Sequence, residues 1–266
     1  MTDKNEIIIV DERFLKDIVD RIRSFEEKKA TLFSVNKPFS EHLMKWEDAT
    51  LPDKYDHNCF EYSDQPSREE FEKAVAYQKE IGAGFIKLEG DSPLEDAFGL
   101  ESGITLTMAF TKKETDWKKN KDISIRPPSL PELEEIEVKH FGPIYGEDFS
   151  RRNIRCQYKK LEFHGAYLLD KLVGACYSFR ADGITCIDGL IVDDAHRHQY
   201  VATTLLKYIR EKHSQDILIL HADNDDTPKD MYLKMGFIIV DRLYEYSKTD
   251  MSIRPIIQSS AISPSW

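Results

Sequence analysis

The chain has 266 residues, is 41% hydrophobic and 32% charged, and carries a formal net charge of −11. That length and composition suit one large globular domain or two of ordinary size with a true apolar core. So acidic a chain gains nothing from counterion release on a nucleic-acid backbone, and no apolar run approaches the ~20 residues that span a bilayer, so neither nucleic acid nor membrane is an expected partner.

In chain order, the first apolar run is only Ile7 to Val10, flanked by acids, which predicts a strand and not a secretory signal. A helix is expected from Glu12 to Glu27, then an irregular stretch from Pro38 to Gln65. Within that stretch Tyr55-Asp-His-Asn-Cys-Phe60 is an aromatic and polar cluster, readable as an ordinary loop or as part of an acceptor site. Ser67 and Glu70 form a capping box that opens a helix to Ile81. A strand at Gly84 to Leu88, a short helix around Pro93 to Phe98 and a strand at Ile104 to Phe110 follow. Thr111 to Asp122, TKKETDWKKNKD, is polar and aperiodic and reads as a linker or long surface loop.

Beyond it, Ile123 to Arg126 is a short strand stopped by Pro127-Pro128. Ser129 reads as an N-cap with Pro131 and Glu132 in the first turn of a helix ending near His140. Gly146 to Leu161 is a second helical stretch. Gly165 to Asp170 and Leu172 to Phe179 read as a hairpin, and Ile184 to Val192 as a central strand. Ala202, Leu205, Leu206 and Ile209 fall at helical spacing. Ile217 to Leu220 is a buried strand, Lys229 to Met235 a short helix, and Phe237 to Tyr246 a last strand. The passage from Ile184 to Leu220 implies one parallel crossover in an otherwise antiparallel sheet. The expected fold class is therefore α/β of the α+β type, a mixed, mostly antiparallel sheet with helices on both faces. The four cysteines, Cys59, Cys156, Cys176 and Cys186, show no C-x-x-C pair and read as small buried hydrophobes in a reducing cytoplasm.

Two motifs carry chemistry. At the junction Leu190 to Leu206, a strand ends in Val192, and Arg197, Val201, Ala202, Leu205 and Leu206 fall in register on R-x-x-G-x-[GA] followed by a helix with a Leu-Leu pair. Further on, Met231, Tyr232, Lys234, Met235, Gly236 and Phe237 match L-Y-x-K-L-G-F, with Asp225 where an Asn is usual and Asn224 one step off. In order and spacing the pair resembles the GNAT superfamily of N-acetyltransferases. The resemblance implies the GNAT fold and acetyl-CoA as co-substrate. It implies that the backbone of Leu190, Ile191 and Val192 meets the pantetheine arm. Arg197, His198, Gln199, Tyr200, Val201, Ala202 and Thr203 would then present N–H groups to the pyrophosphate. Independently of any family, a helix N-terminus with unpaired N–H groups attracts an anion. Two residues depart from the pattern: Tyr200 replaces the first motif glycine and Asp194 the usual proline.

Gly236 suits a left-handed helix C-cap. The resemblance makes Tyr232 the acid for the leaving thiolate, a phenol of pKa about 10 serving a thiol of about 8.5. Asp188, on the face shared with Cys186 and Val192, is the candidate to take the amine's proton; the other reading is a strand-end Asp bonded to a loop. His221 is readable as base or as loop ligand, and His196 and His198 as loop residues near solvent or the CoA ribose-phosphate. No His or Cys spacing points to a metal.

The expected division is 1–118, an N-terminal α/β domain; 119–250, the GNAT domain; and 251–266, a tail. Leu94-Glu-Asp-Ala-Phe-Gly-Leu-Glu is a faint copy of Met231 to Phe237 without the tyrosine, so the first domain resembles a degenerate GNAT-like module. The expected function is acetyl transfer to a primary amine of a small molecule, amino acid or peptide, by a cytoplasmic enzyme compatible with a homodimer. The alternative is a non-catalytic CoA-binding or protein-interaction module that keeps the fold.

Overall fold

The computed structural model describes residues 12–225 and 228–249; the strand expected at Ile7 to Val10 and the tail at 251–266 lie outside the described residues. The first half contains α1 (Glu12–Ala30), β1 (Val35–Pro38), β2 (Leu43–Glu47), β3 (Phe60–Tyr62), α2 (Arg68–Glu80), β4 (Phe85–Gly90) and β5 (Glu101–Phe110). The second contains β6 (Ile123–Arg126), α3 (Leu130–Tyr145), α4 (Glu147–Tyr158), β7 (Glu162–Leu168), β8 (Lys171–Ala181), β9 (Ile184–Val192), α5 (Val201–Lys212), β10 (Ile217–Asp223), α6 (Pro228–Lys234) and β11 (Ile238–Thr249). Both capping boxes form, Ser67 with Glu70 and Ser129 with Glu132.

Two expectations for the first half are corrected. The stretch from Pro38 to Gln65 is not irregular, because it holds β2 and β3 and a 3-10 turn at Tyr55–His57. Lys45 hides the strand pattern. It is fully buried in β2, where its ammonium donates to the Asn58 carbonyl at 2.7 Å and lies 4.5 Å from the Phe60 ring centre. The short helix around Pro93 to Phe98 does not form. The Gln65 side chain accepts the N–H groups of Glu95 and Asp96, and the Asp96 carboxylate takes that of Phe98, so side chains compete with helical bonding. Phe98 and Gly99 are then both left-handed.

The eleven strands form one sheet in the order β1-β2-β3-β4-β11-β5-β10-β9-β8-β7-β6. Neighbours are antiparallel except β3–β4 and β9–β10, each a parallel pair joined by one helix, α2 or α5. The segments β3-α2-β4-β5 and β9-α5-β10-α6-β11 thus repeat one plan around a central pair. That central pair is exchanged: β5, from the first half, lies between β11 and β10, while β11 lies between β4 and β5. The expected boundary near residue 118 falls in the coil after β5, and the sheet runs through it.

Strand alternation builds a core on each face. On β5 and β10, Leu106, Met108, Phe110, Leu218 and Leu220 face the helix α5, whereas Ala109 and Ile219 face Ile18, Ile22 and Phe25 of α1. Helices α3 and α4 pack on the α1 side over Phe163, Ala175 and Tyr177 through Leu133 and Ile154. The coil from Thr111 to Asp122 is docked. Trp117 is buried between Phe110 and Phe237 and donates from Nε1 to the Met235 carbonyl at 2.7 Å. Asn120 bonds the Thr204 hydroxyl at 2.9 Å through its N–H and the Gln199 carbonyl at 3.0 Å through its side chain.

Candidate active site

The site begins where two parallel strands part. The β9–β10 ladder runs only from Ile184–Ile217 to Ile187–Leu220. On its other edge β9 slips register against β8, with Tyr177 opposite Asp188 but Ala175 opposite Ile191, so a bulge occupies Gly189 and Leu190. Gly189 has φ 60°, and a Cβ there would lie 2.4 Å from Cε1 of the Tyr177 ring, so only glycine fits. Past the bulge, the β10-facing edge of Gly189 to Val192 has no strand partner among the described residues. It borders a cavity of about 380 Å³ whose wall includes Leu190, Ile191, Leu206 and Tyr232. An extended ligand can pair with such an edge.

Downstream, Asp193 accepts the Ala195 N–H at 3.2 Å and receives the Lys139 ammonium at 2.9 Å on both oxygens. His198 and Tyr200 both have φ 60°, and Tyr200 (ψ 22°) is the residue preceding α5. Tyr200 therefore adopts the backbone that a motif glycine would supply, at a cost of about 1–2 kcal/mol for a left-handed non-glycine residue. Its side chain is half exposed, with Lys118 Nζ 5.9 Å from the ring centre. The Tyr200 carbonyl accepts from Thr204 N–H, and from the Thr203 and Thr204 hydroxyls. The N–H groups of Val201, Ala202 and Thr203 open α5 without an intrahelical carbonyl and face the direction an anion would occupy. Val201 and Ala202 are buried, while His198 and Gln199 are exposed. Arg197 forms an ion pair with Asp194 at 2.6 Å, so the charge expected for an anionic ligand is partly neutralised by the residue in the proline position. Asn224 and Asp225 sit in the turn after β10. Their N–H groups bond Ile104 and Asp223, and Lys229 donates to the Asn224 carbonyl; none of these bonds joins them to the α5 turn.

Tyr232, on α6, is buried with its ring 5.8 Å from that of Phe237, in the wall of the same cavity as Leu190 and Ile191. Gly236 has φ 91°, the left-handed cap its position predicts.

Helix α1 brings charge that the sequence did not flag. Lys29 Nζ lies 3.2 Å from Asp188, 3.5 Å from the Cys186 sulfur and 3.9 Å from Glu26. Glu26 in turn meets His221 Nε2 at 3.4 Å. Burial would raise the Asp188 carboxyl, but the Lys29 ammonium, the charge on His221 and the Gly189 N–H at 2.7 Å hold it well below the carboxylate range. Burial would lower His221, yet Glu26 and the Cys186 sulfur push it up to about 10, so at neutral pH it is an imidazolium. His221, readable in the sequence as base or as loop ligand, is thus paired with Glu26, and Asp188 with Lys29. Donor atoms of Glu26, Cys186 and His221 lie within 4.8 Å of one another, a His/Cys/carboxylate set of a kind that holds zinc. Within this cluster His221 and Lys29 are both ion-paired with Glu26. No sequence spacing revealed them, because they come from α1, β9 and β10.

Helix α3 contributes to the same cavity. Leu133, Ile136, Glu137, His140 and Phe141 line the cavity from one helical face. Glu137 is 7% exposed and receives an Asn153 side-chain N–H at 3.4 Å, while Asn153 accepts from Lys54 at 3.0 Å. Burial pushes the Glu137 carboxyl up to about 7 against the opposing pull of Lys54 and Asn153. The first half closes the cavity with Asp56 and His57, from the aromatic cluster noted in the sequence, and with Lys87, whose ammonium meets Asp56, Glu89 and Glu245.

Residues 159–239 match the acetyltransferase (GNAT) domain family. Among solved structures, the chain is similar to a functionally unknown protein from Staphylococcus epidermidis, with TM-score 0.71, 19% identity and coverage of 81% of this chain and 94% of that one. It is also similar to a GCN5-related N-acetyltransferase from Kribbella flavida (TM-score 0.62, 14% identity, 87% and 95% covered). A tandem GNAT protein from the clavulanic acid biosynthesis pathway shares the fold at TM-score 0.51 and 11% identity over 78% of each chain. No curated protein matches.

Proposed function

We propose that this chain, whose C-terminal half is a member of the GNAT acetyltransferase superfamily, transfers an acetyl group from acetyl-CoA to a primary amine of a small molecule, amino acid or peptide. The observation that carries this reading is the convergence, on one cavity, of the unpaired edge of β9 at Leu190 and Ile191 with the buried phenol of Tyr232. In this reading the pantetheine arm pairs with Leu190, Ile191 and Val192, and the β9 N–H groups polarise the thioester carbonyl. The pyrophosphate rests on the turn from Arg197 to Tyr200 and on the N–H groups of Val201, Ala202 and Thr203. Asn224 and Asp225 shape the turn that leads to α6. Tyr232 gives its proton to the departing sulfur. Asp188, fixed as an anion beside the bulge, holds an acceptor that arrives as an ammonium.

A second reading, a CoA-binding module without turnover, draws on the ion pair that Asp194 makes with Arg197. Both readings require CoA to bind. Thermal-shift titration with acetyl-CoA and with CoA tests that, and no stabilisation at millimolar ligand would sink both. Thiol release across a panel of primary amines then separates them. The catalytic reading predicts turnover that falls at least tenfold in Tyr232→Phe, with unchanged CoA affinity.

A further inference from the structure

The cavity contains several groups able to accept a proton, but most are already committed. Asp188 and Glu26 are tied to Lys29, and Glu26 also to His221. Asp56, Glu89 and Glu245 surround the Lys87 ammonium. His57 shares its Nδ1 with Asp48 at 3.0 Å, and burial drives its pKa down to about 4. Glu137 differs from all of these. Its bonded neighbour is a neutral amide, Asn153, and the nearest cation, Lys54, is engaged by the far end of that same amide. Glu137 lines the same cavity as Leu190, Ile191 and Tyr232.

We infer that Glu137 is the general base of the acetyl transfer, taking the proton of the acceptor amine directly or through one water, while Asp188 only anchors the acceptor. This rests on the acetyltransferase reading above. The acceptor ammonium gives one proton to the Glu137 carboxylate. The freed nitrogen forms a bond to the thioester carbonyl carbon, and the C–S bond breaks with its electron pair on sulfur. Sulfur takes the Tyr232 proton, the second N–H proton returns to the Tyr232 phenolate through water, and Glu137 releases its own proton to solvent. The sum is ammonium plus acetyl-CoA giving amide, CoA and one proton.

A base ionising near neutrality is matched to this task, and burial supplies that ionisation here. Besides burial, Lys54 and Asn153 bear on the titration of Glu137, and further titratable groups line the cavity around it. Lys54 and Asp56 come from the first half and Asn153 from α4. Tyr145 and His140 lie on α3 itself, and Asp188 and Lys29 lie beyond Lys54. Burial draws the Lys54 ammonium's own pKa downward, while Asp56, Asp188 and Glu137 oppose that shift.

The test is kcat/KM against pH for thiol release, with the most active members of a panel of alkylamines, free amino acids and dipeptides. It is run on the full chain and on Glu137→Gln, Glu137→Asp and Asp188→Asn, with acetyl-CoA binding measured in parallel. The expected wild-type profile rises through neutrality as one group loses its proton. Glu137→Gln falls about 100-fold or more and loses that limb, and Glu137→Asp keeps the limb at reduced rate. Asp188→Asn raises KM and keeps the limb. An unaltered limb in Glu137→Gln, or its loss in Asp188→Asn, overturns the assignment while leaving the acetyltransferase reading intact. Acetyl-CoA binding without turnover of any amine by the wild type overturns that reading, and the role of Glu137 with it. Circular dichroism and acetyl-CoA binding of each variant show whether it is folded, and Glu137→Gln, an isosteric neutral replacement, is the variant that decides the assignment.

Discussion

Substituting Gly189 by alanine perturbs the bulge from which the cavity opens, and the magnitude follows from two separable terms. The first is backbone: at φ 60° a Cβ costs about 1–2 kcal/mol. The second is steric. The new Cβ would stand 2.4 Å from Tyr177 Cε1 and 2.8 Å from Cδ1. The Tyr177 ring is 9% exposed and packs 5.5 Å from the ring of Phe163, so it has little room to swing. Overpacking of this kind costs about 1–3 kcal/mol, giving a total of roughly 2–5 kcal/mol. Gly183 is a matched control. It has φ 74°, but its added Cβ meets only Arg21 Nη2 at 3.7 Å, so Gly183→Ala carries the backbone term alone. Urea denaturation of both variants gives the comparison, provided the slopes stay equal to wild type. The difference between them isolates the Tyr177 clash at about 1–3 kcal/mol in favour of Gly183→Ala. Gly189→Ala also pushes β9 back toward β10, so its thermal response to CoA should shrink. Equal losses in the two variants, with the CoA response of Gly189→Ala intact, would refute the claim that this glycine sets the splay.

Glu137→Gln should change the pH dependence of stability. The folded state holds the Glu137 proton up to about 7, against a reference of 4.5, so the wild type loses stability as pH rises between those values. The glutamine variant lacks that loss and gains up to about 3 kcal/mol over wild type above the window; a melting-temperature gap that fails to widen with pH counts against the burial argument. Tyr200→Gly should leave stability within about 1 kcal/mol, because relief of the left-handed strain offsets the added freedom of the unfolded chain. It should tighten CoA binding by calorimetry, and weaker binding would contradict the assigned loop. Trp117→Ala removes a buried ring and its bond to Met235, at about 3–5 kcal/mol by denaturation. It also frees Asn120 from the α5 turn, so CoA affinity should drop even where the variant is folded; unchanged affinity would show that this coil does not support the turn.

What the sequence conveyed, and what it hid, divides by range. The capping boxes at Ser67 and Ser129, the cap at Gly236 and the crossover from β9 through α5 to β10 are all local patterns, and each is present. Tyr200 shows that a motif position can keep its backbone angle while losing its glycine. The charged floor of the cavity had no local signal. Lys29 and Asp188 are 159 residues apart, and Lys29 looks like one more cation in the last turn of α1. Lys45 and Lys87 are buried charges in strands, which break the alternation from which strands are read. The coil around Trp117 looked like a linker because its anchoring depends on one indole among eleven polar or small neighbours.

The exchange of β5 and β11 imposes an order of events on synthesis. Both neighbours of β5 in the finished sheet, β10 and β11, emerge from the ribosome long after it, and the Thr105–Glu245 contact bridges 140 residues. Until then β5 has two bare edges and β4 has one, the kind of exposed strand that recruits unwanted partners. The N-terminal half therefore cannot complete its sheet as it is made. It waits on the last described strand of the chain, and closure is a late, long-range step whose rate is set by loop entropy more than by the stability of either half.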